Sequence, residues 1–448
     1  DWQEGYNGSL EFWDNKVKKK IKSYSPIFNR CVIFKTDEKS FHGFPDTLNL
    51  PAEIARKSFA VYYFIEEDKP IKLYPSTFTP RPGDKMHYKF LMGIDSFLNK
   101  IFSFLKRYKI KSFGPCKYAA KLEGSKAFMK KICEKNNIPT AKFKICSTKK
   151  HVNNFLQTCR YPVVVKADGL ASGKGVTICK TKKKVLDISF EILSGKFKSS
   201  RKLILEEFLE GEEASYFLVV DNNSFKFFGT AQDHKRVKEN DKGLNTGGMG
   251  AYSPAPIINN LIEKKIINKI VKPTLLELKK RKKPYSGFLY VGLMIKNNEP
   301  YLIEYNIRMG DPECQVILPR LKTDLMKIII NTIENKLKTT KIRWGKNKSM
   351  TVVLCSKGYP GNYIKNKNIK NYDKLKLTKN DYIYHAGTKF ENGKLLSDGG
   401  RVLNITSTGK NFFKIRSKIH QLIKKLNWTN GFYRKDIGWR VIKKNANY

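Results

Sequence analysis

The 448-residue sequence contains no run of about 18 apolar residues and does not open on a basic region followed by an apolar one. A membrane span and a secretory leader are therefore not expected. Its eight cysteines, at positions 31, 116, 133, 146, 159, 179, 314 and 355, include no C-x-x-C pair. The economical reading is a reduced, cytoplasmic protein with unpaired thiols. Acidic residues are scarce: 40 Asp+Glu stand against 87 Lys+Arg, a formal charge of +47. Such a surplus raises nucleic-acid binding. The lysine-rich clusters at 18–20, 182–184 and 279–283, however, lie in separate segments and are mostly not interleaved with aromatics. Solvated helix faces explain them better than an RNA surface, and the field also suits anionic small substrates. No internal repeat or low-complexity tract occurs. What is present, 40% hydrophobic and 12% aromatic residues, is ample for sizeable cores, and the length suggests about three domains.

The most informative stretch is 161–178, YPVVVKADGLASGKGVTI. Val163, Val164 and Val165 favour a buried strand, and Gly169, Gly173 and Gly175 supply a loop that backbone or ligand can approach closely. A strand that delivers Lys166 into such a loop suggests a nucleotide phosphate site. The spacing matches neither G-x-x-x-x-G-K-[ST] nor G-x-G-x-x-G, so a hairpin that merely turns is the competing reading.

Residues 1–86 alternate in the manner of strands and are rich in aromatics, which suggests an antiparallel β segment. The words GSLEFWD, FNRCVIF, SFHG and RKSFAVYYF resemble the C-terminal half of the 2-oxoglutarate and iron-dependent oxygenases related to prolyl hydroxylases. That resemblance implies a half jelly-roll in which His42 matches the second histidine of a facial triad and Arg56 the 2-oxoglutarate carboxylate binder. The H-x-D word that supplies the rest of the triad is not found, so no oxygenase activity is expected.

TPRPGDK at 79–85 marks a break. Beyond it, the helical segment PCKYAAKLEGSKAFMKKICEKNN places Ala119, Leu122, Phe128 and Ile132 on a buried stripe, with Lys126 read as a solvated surface lysine. In KLILEEFLEGEEASYFLVVDN the acids Glu206, Glu207, Glu212 and Glu213 either neutralise nearby lysines or flank a segment that reads a nucleotide. DHKRVKENDKGLNTGGMGAYSP, at 233–254, has too little apolar content to pack a core, and four glycines surround Asn245 and Thr246. It reads as a loop that closes over a ligand. Further on, strand periodicity puts Glu304 and Asn306 on one face, a pair that suits Mg²⁺. Arg308, Asp311 and Glu313 cluster in the turn that follows. From about Trp344 a separate module of roughly 100 residues is expected.

The words LEGSK, VVVKADGLASGKGV, EEFLEGEEAS, DHKR, NTGGMGAYSP, IEYNIRMGDPE, GYPG, GGRVLN and YRKDIG together resemble phosphoribosylamine–glycine ligase, from about residue 93 to 448. The resemblance implies an α/β (α+β) chain with an ATP-grasp core at 113–338 and an α/β C-terminal module at 339–448. Residues 87–112 would be a junction with a remnant of the ligase's first domain. It implies that ATP, with Mg²⁺ or Mn²⁺, joins glycine to 5-phosphoribosylamine through glycyl phosphate. Lys126 and Lys166 would then contact phosphates beneath a cover formed by Gly173, Lys174 and Gly175. Glu206, Glu207, Phe208 and Leu209 would line the adenine, Glu213 would hold the ribose, and Glu304 and Asn306 would ligate the metal. Asn245, Gly248, Arg308 and Asp311 would close on glycine and the phosphoribosyl substrate. A monomer is expected, with neither membrane nor nucleic acid as partner.

The family's opening G-G-R-E-H word, in a Rossmann-like first domain that helps form the phosphoribosylamine pocket, is not found, and the oxygenase-like words occupy its place. A chain lacking that domain is therefore expected. The alternative to a working ligase is an ATP-binding remnant without turnover, with its basic surface contacting RNA.

Overall fold

The computed structural model describes residues 7, 9–14, 16–25, 41–43, 111–169, 175–196 and 202–443. Two compact units, 1–112 and 113–448, are separate. In the first, β1 (Leu10–Trp13) pairs antiparallel with β2 (Lys20–Tyr24) and with β3 (Phe41–Gly43). Glu11 accepts from the Trp13 indole at 3.1 Å and pairs with Lys20 at 2.9 Å. His42 lies in β3 opposite Phe12; Arg56 and most of the oxygenase-like words lie outside the described residues.

The second unit contains two sheets. The smaller is antiparallel, in the order β4 (Phe143–Cys146), β7 (Leu203–Glu207), β5 (Val163–Ala167), β6 (Val176–Cys179). The valine run does form its buried centre. Helices Lys149–Leu156 and Lys182–Leu193 bury Val152, Val185 and Ile192 against this sheet, and begin where the Thr148 and Thr181 side chains accept the amides of His151 and Lys184. The 182–184 lysines face solvent.

The larger sheet contains β8 (Glu212–Val220), β9 (Phe225–Asp233), β12 (Gly250–Ser253), β13 (Gly287–Lys296), β14 (Glu299–Asn306), β15 (Lys348–Ser356), β16 (Asp381–His385) and β19 (Arg401–Gly409). Its order is β14-β13-β8-β9-β12-β15-β19-β16, with β20 (Gly431–Phe432) beside β15. The Asn297-Asn298 turn between β13 and β14 has both residues at positive φ (51° and 60°), as a tight hairpin requires. Alternation along the strands separates two faces. Tyr216, Leu218, Leu289, Val291 and Tyr305 pack with Met129, Ile132, Ile266 and Leu278 of the helices. Phe217, Val219, Phe288 and Tyr290 pack on the other side with Val316, Ile317 and Ile328. A further core joins β15 and β19 to the helix Phe412–Lys425 through Val352, Ile405, Ile415 and Ile419. The seven cysteines among the described residues are all free, and among those residues no helix is long and apolar enough to cross a membrane.

The segment read as a loop from its lack of apolar residues is instead partly regular. β10 (Arg236–Lys238) and β11 (Lys242–Asn245) form a hairpin that leads into β12. Charge holds it where burial does not. The guanidinium of Arg434, 1% exposed, donates to the Arg236 carbonyl and to Asp241, both at 2.9 Å, and makes a two-pronged contact with Asp436 at 2.8 and 2.7 Å. Arg440 takes the other Asp241 oxygen at 2.6 Å.

His234 completes this junction. It is 1% exposed, and its Nε2 accepts the Gly438 amide at 3.2 Å, which places the ring proton on Nδ1. Burial, with Arg440 and Arg434 close by, pushes its pKa down to about 3 from 6.5. Between those values the unfolded chain binds a proton that the folded one refuses, so this residue's contribution to stability is lost as pH falls from 6.5 toward 3. In His234→Gln, the drop in thermal midpoint from pH 7 to pH 5, followed by circular dichroism, should be smaller than in the wild type.

Candidate active site

Lys126 opens the helix Lys126–Lys135, whose cap is Ser125, accepting from the Phe128 amide at 3.1 Å. Asp168, just past β5, accepts from the Ser125 hydroxyl and the Ala127 amide, both at 3.1 Å. An acid at a helix N-terminus is favourable, and here it pins the helix to the end of β5. Lys126 Nζ then reaches the Gly169 carbonyl at 3.1 Å. Burial lowers the Lys126 pKa, opposed chiefly by Glu304. The lysine read as a surface residue is thus half-buried among charges.

Lys166, on β5, is 6% exposed and pairs with Glu206 at 2.8 Å. β5 and β6 form an antiparallel hairpin closed by the Ala167 amide on the Gly175 carbonyl at 2.8 Å. Gly173 and Lys174 lie outside the described residues. The Glu206 side chain is turned toward Lys166 and Lys130, and its backbone position is paired with Phe143 of β4 and Val164 of β5. Glu207 accepts the Lys142 amide at 3.0 Å, Phe208 is exposed and Leu209 half-buried.

On the larger sheet, register and alternation bring Glu213, Ser215, Tyr290, Glu304 and Asn306 to the polar end of the face that carries Phe217 and Phe288. Glu213 pairs with Lys235 at 2.7 Å. Burial raises the Glu213 pKa, but Lys235 outweighs it and holds the carboxyl low. Burial would lower Lys235, and Glu213 with Asp233 reverse this. Asp233 itself is raised to about 7 by burial and by Glu313 and Glu213. The Ser215 hydroxyl lies 2.9 Å from the Tyr290 hydroxyl and 3.3 Å from Glu313. Glu304 acts electrostatically on Lys126 and on Lys235, and Lys166 and Glu206 of the smaller sheet also act on Lys126.

Glu304 and Asn306 offer the two oxygen donors that a Mg²⁺ or Mn²⁺ ion takes when phosphates and water complete its shell. Gly292 stands opposite Glu304, where a Cβ would come within 3.1 Å of its Cγ. The Asn306 oxygen has a single long approach, 3.5 Å, from Arg308. Among the described residues no group of three His, Cys, Asp or Glu is placed to hold an ion without such help. The pair therefore fits a metal delivered with phosphate.

A third cluster forms around the glycines of the closing segment. Arg401, on β19, donates to the Gly247 carbonyl at 2.5 Å and the Asp311 carbonyl at 2.8 Å, and pairs with the Asp311 carboxylate at 2.9 Å. A Cβ on Gly247 would meet the Arg401 guanidinium at 2.7 Å, and one on Gly248, at φ +113°, would collide with Pro312. The Tyr359 hydroxyl accepts the Gly247 amide at 3.0 Å and lines a cavity of about 720 Å³ with Lys238, Leu244, Lys357 and Tyr433. Arg308 is exposed and pairs with Glu123 at 3.2 Å, and Asn245 ends β11 opposite Arg236. Sequence reasoning gave no role to Asp168, Tyr290, Tyr359 or Arg401. Their signal was only their place inside the words KADG, FLYVG, GYPG and GGR.

The family model for the phosphoribosylglycinamide synthetase ATP-grasp (A) domain matches residues 124–314, and that for the C domain matches 349–440. The phosphoribosylamine–glycine ligase of Agrobacterium fabrum is 42% identical over 339 residues, 75% of this chain and 80% of that protein. The chloroplastic ligase of Arabidopsis thaliana is 42% identical over 340 residues, and the chain spans 64% of its length. Among solved structures, the phosphoribosylamine–glycine ligase of Thermotoga maritima superposes with a TM-score of 0.65 at 34% identity, over 72% of this chain and 81% of that one. A biotin carboxylase domain from Hydrogenobacter thermophilus, solved with magnesium ADP and bicarbonate, shares the fold at 15% identity, with a TM-score of 0.59 over 74% of this chain and 72% of that one. The chain has the ATP-grasp fold and belongs to the phosphoribosylamine–glycine ligase family.

Proposed function

We propose that this chain catalyses ATP-dependent joining of glycine to 5-phosphoribosylamine, through glycyl phosphate, to give glycinamide ribonucleotide, ADP and phosphate, in de novo purine biosynthesis. The observation that carries this reading is the strand register that puts Glu213, Glu304 and Asn306 on one face, with Lys235 on Glu213 at 2.7 Å, in a chain 42% identical to a phosphoribosylamine–glycine ligase. Nucleotide lysines and metal-binding oxygens serve one site. The ATP-grasp part is taken as 113–338 and the C-terminal module as 339–448, acting as a monomer in the cytoplasm.

The chemistry asks for positioning and charge neutralisation and no covalent enzyme intermediate. Lys126 and Lys166 offset phosphate charge, and Gly173, Lys174 and Gly175 add contacts to the nucleotide. The segment 206–209 offers its backbone and the Phe208 and Leu209 side chains to the adenine, and Glu213 shares its carboxylate between Lys235 and the ribose hydroxyls. Glu304 and Asn306 hold Mg²⁺ or Mn²⁺, which when bound neutralises phosphate oxygens. Asn245, Gly248, Arg308 and Asp311 enclose glycine and the phosphoribosyl group and keep water from the acyl phosphate. The amine then displaces phosphate at the glycyl carbon.

ADP release by the purified chain should require glycine and phosphoribosylamine together; ATP binding without that dependence would mark a remnant lacking turnover. Lys166→Ala should raise the KM for ATP about tenfold, and Glu304→Ala should cut metal-dependent turnover by roughly 10²–10³. Steady-state kinetics with each substrate varied check both, and wild-type values in either variant remove that role. Arg401→Ala, which frees Gly247 and Asp311 from each other, should lower kcat/KM for glycine by up to about a hundredfold, the cost of an ångström of misplacement.

A further inference from the structure

One turn beyond Lys126, on the same helix, Lys130 has a side chain with 0% exposure. A lysine at such a position is exceptional, because a buried ammonium is costly unless it is paired and hydrogen-bonded. Its Nζ lies 3.2 Å from Glu206 Oε1, while Lys166 takes Oε2 of the same carboxylate at 2.8 Å. Glu206 is itself only 3% exposed. Burial alone would raise its pKa, yet Lys166 and Lys130 outweigh burial and hold it low. Two ammoniums therefore flank one buried carboxylate, one beside each oxygen, and the Lys130 contact is an ion pair without hydrogen-bond geometry.

Lys130 also donates to the Thr140 hydroxyl at 2.7 Å, and Thr140 donates to the Leu302 carbonyl at 2.6 Å. The Leu302 amide returns a bond to the Pro139 carbonyl at 2.8 Å, forming an isolated parallel bridge. Leu302 sits on β14 two residues before Glu304. A line of polar contacts thus runs from the lysine on the smaller sheet to the metal-binding strand of the larger one: Lys166, Glu206, Lys130, Thr140, Leu302. A buried apolar residue at 130 would fill the space and break this line.

We propose that Lys130 is a positioning residue for nucleotide binding, fixing the Glu206 carboxylate so that Lys166 is aimed at the phosphates and holding that carboxylate at a set distance from β14. Lys130 does not touch the nucleotide. Among the described residues no hydrogen bond or ion pair joins Lys130 to Glu213, Arg308 or Arg401, so its effect is expected at the nucleotide end of the site. The proposal rests on the ATP-dependent reading above, and its test separates the two.

The experiment uses the full chain with Lys130→Met, Thr140→Val and the double variant. Calorimetric binding of Mg·ADP is measured alongside KM values for ATP and glycine and the thermal midpoint. Lys130→Met should weaken Mg·ADP binding and raise the ATP KM by about tenfold, with the glycine KM within about twofold of wild type. Thr140→Val should shift the same quantities in the same direction by about threefold, and the double variant should be no worse than Lys130→Met, as members of one line require. Mg·ADP affinity within about twofold of wild type in Lys130→Met would overturn the proposal, as would equal rises in the ATP and glycine KM values, the mark of general loosening. If Lys130→Met does not fold, Thr140→Val decides by the same criteria. Wild-type protein that binds Mg·ADP but shows no glycine-dependent ADP release would count against the ligase reading, leaving the binding arm to judge Lys130.

Discussion

The four residues of β12 determine how the second unit is built. Gly250–Ser253 pair with β9 on one side and with β15 on the other, so the strands that carry Glu213, Glu304 and Asn306 belong to the same sheet as the strand that carries Arg401. Backbone hydrogen bonds across a sheet fix neighbouring strands to within tenths of an ångström. Gly250 takes part because a Cβ there would meet the Thr351 carbonyl at 2.6 Å. The segment just before β12 is therefore held beside Asp311 and Arg401 by strand pairing.

Within that frame the site separates charges by depth. Glu206, Lys130 and Lys166 are sealed between helix and smaller sheet, while Glu213, Glu304 and Asn306 stand at the polar end of a face whose other end is aromatic. The half-buried Asp233 and the buried Glu313 have raised pKa values because loss of solvent disfavours their charge. The basic side chains at this end are the ones with partners already waiting.

Local pattern made some of this legible. The valine run at 163–165 became the centre of the smaller sheet, the Asn297-Asn298 pair became a tight turn, and period-2 reasoning put Glu304 and Asn306 on one face, helped by the fact that the register shift at Gly292/Leu293 lies beyond them on the partner strand. What stayed hidden depends on partners far along the chain. Arg401 meets Gly247 across 154 residues, and Arg434 meets Asp241 across 193. The 236–245 hairpin read as a loop because hydropathy patterns register burial and are blind to ionic anchoring. Lys130 shared the pattern of a solvent-facing helix lysine until Glu206 was placed beneath it.

The shared carboxylate also divides the protein's many positive charges into two populations. Most of the 87 lysines and arginines act through solvent, where interactions fade beyond about 8 Å at physiological ionic strength. The pairs made by Glu206 join side chains that are all at most 8% exposed, where salt screens much less. Raising salt would therefore strip away the diffuse attraction of the surface for anions while leaving the aim of Lys166 unchanged.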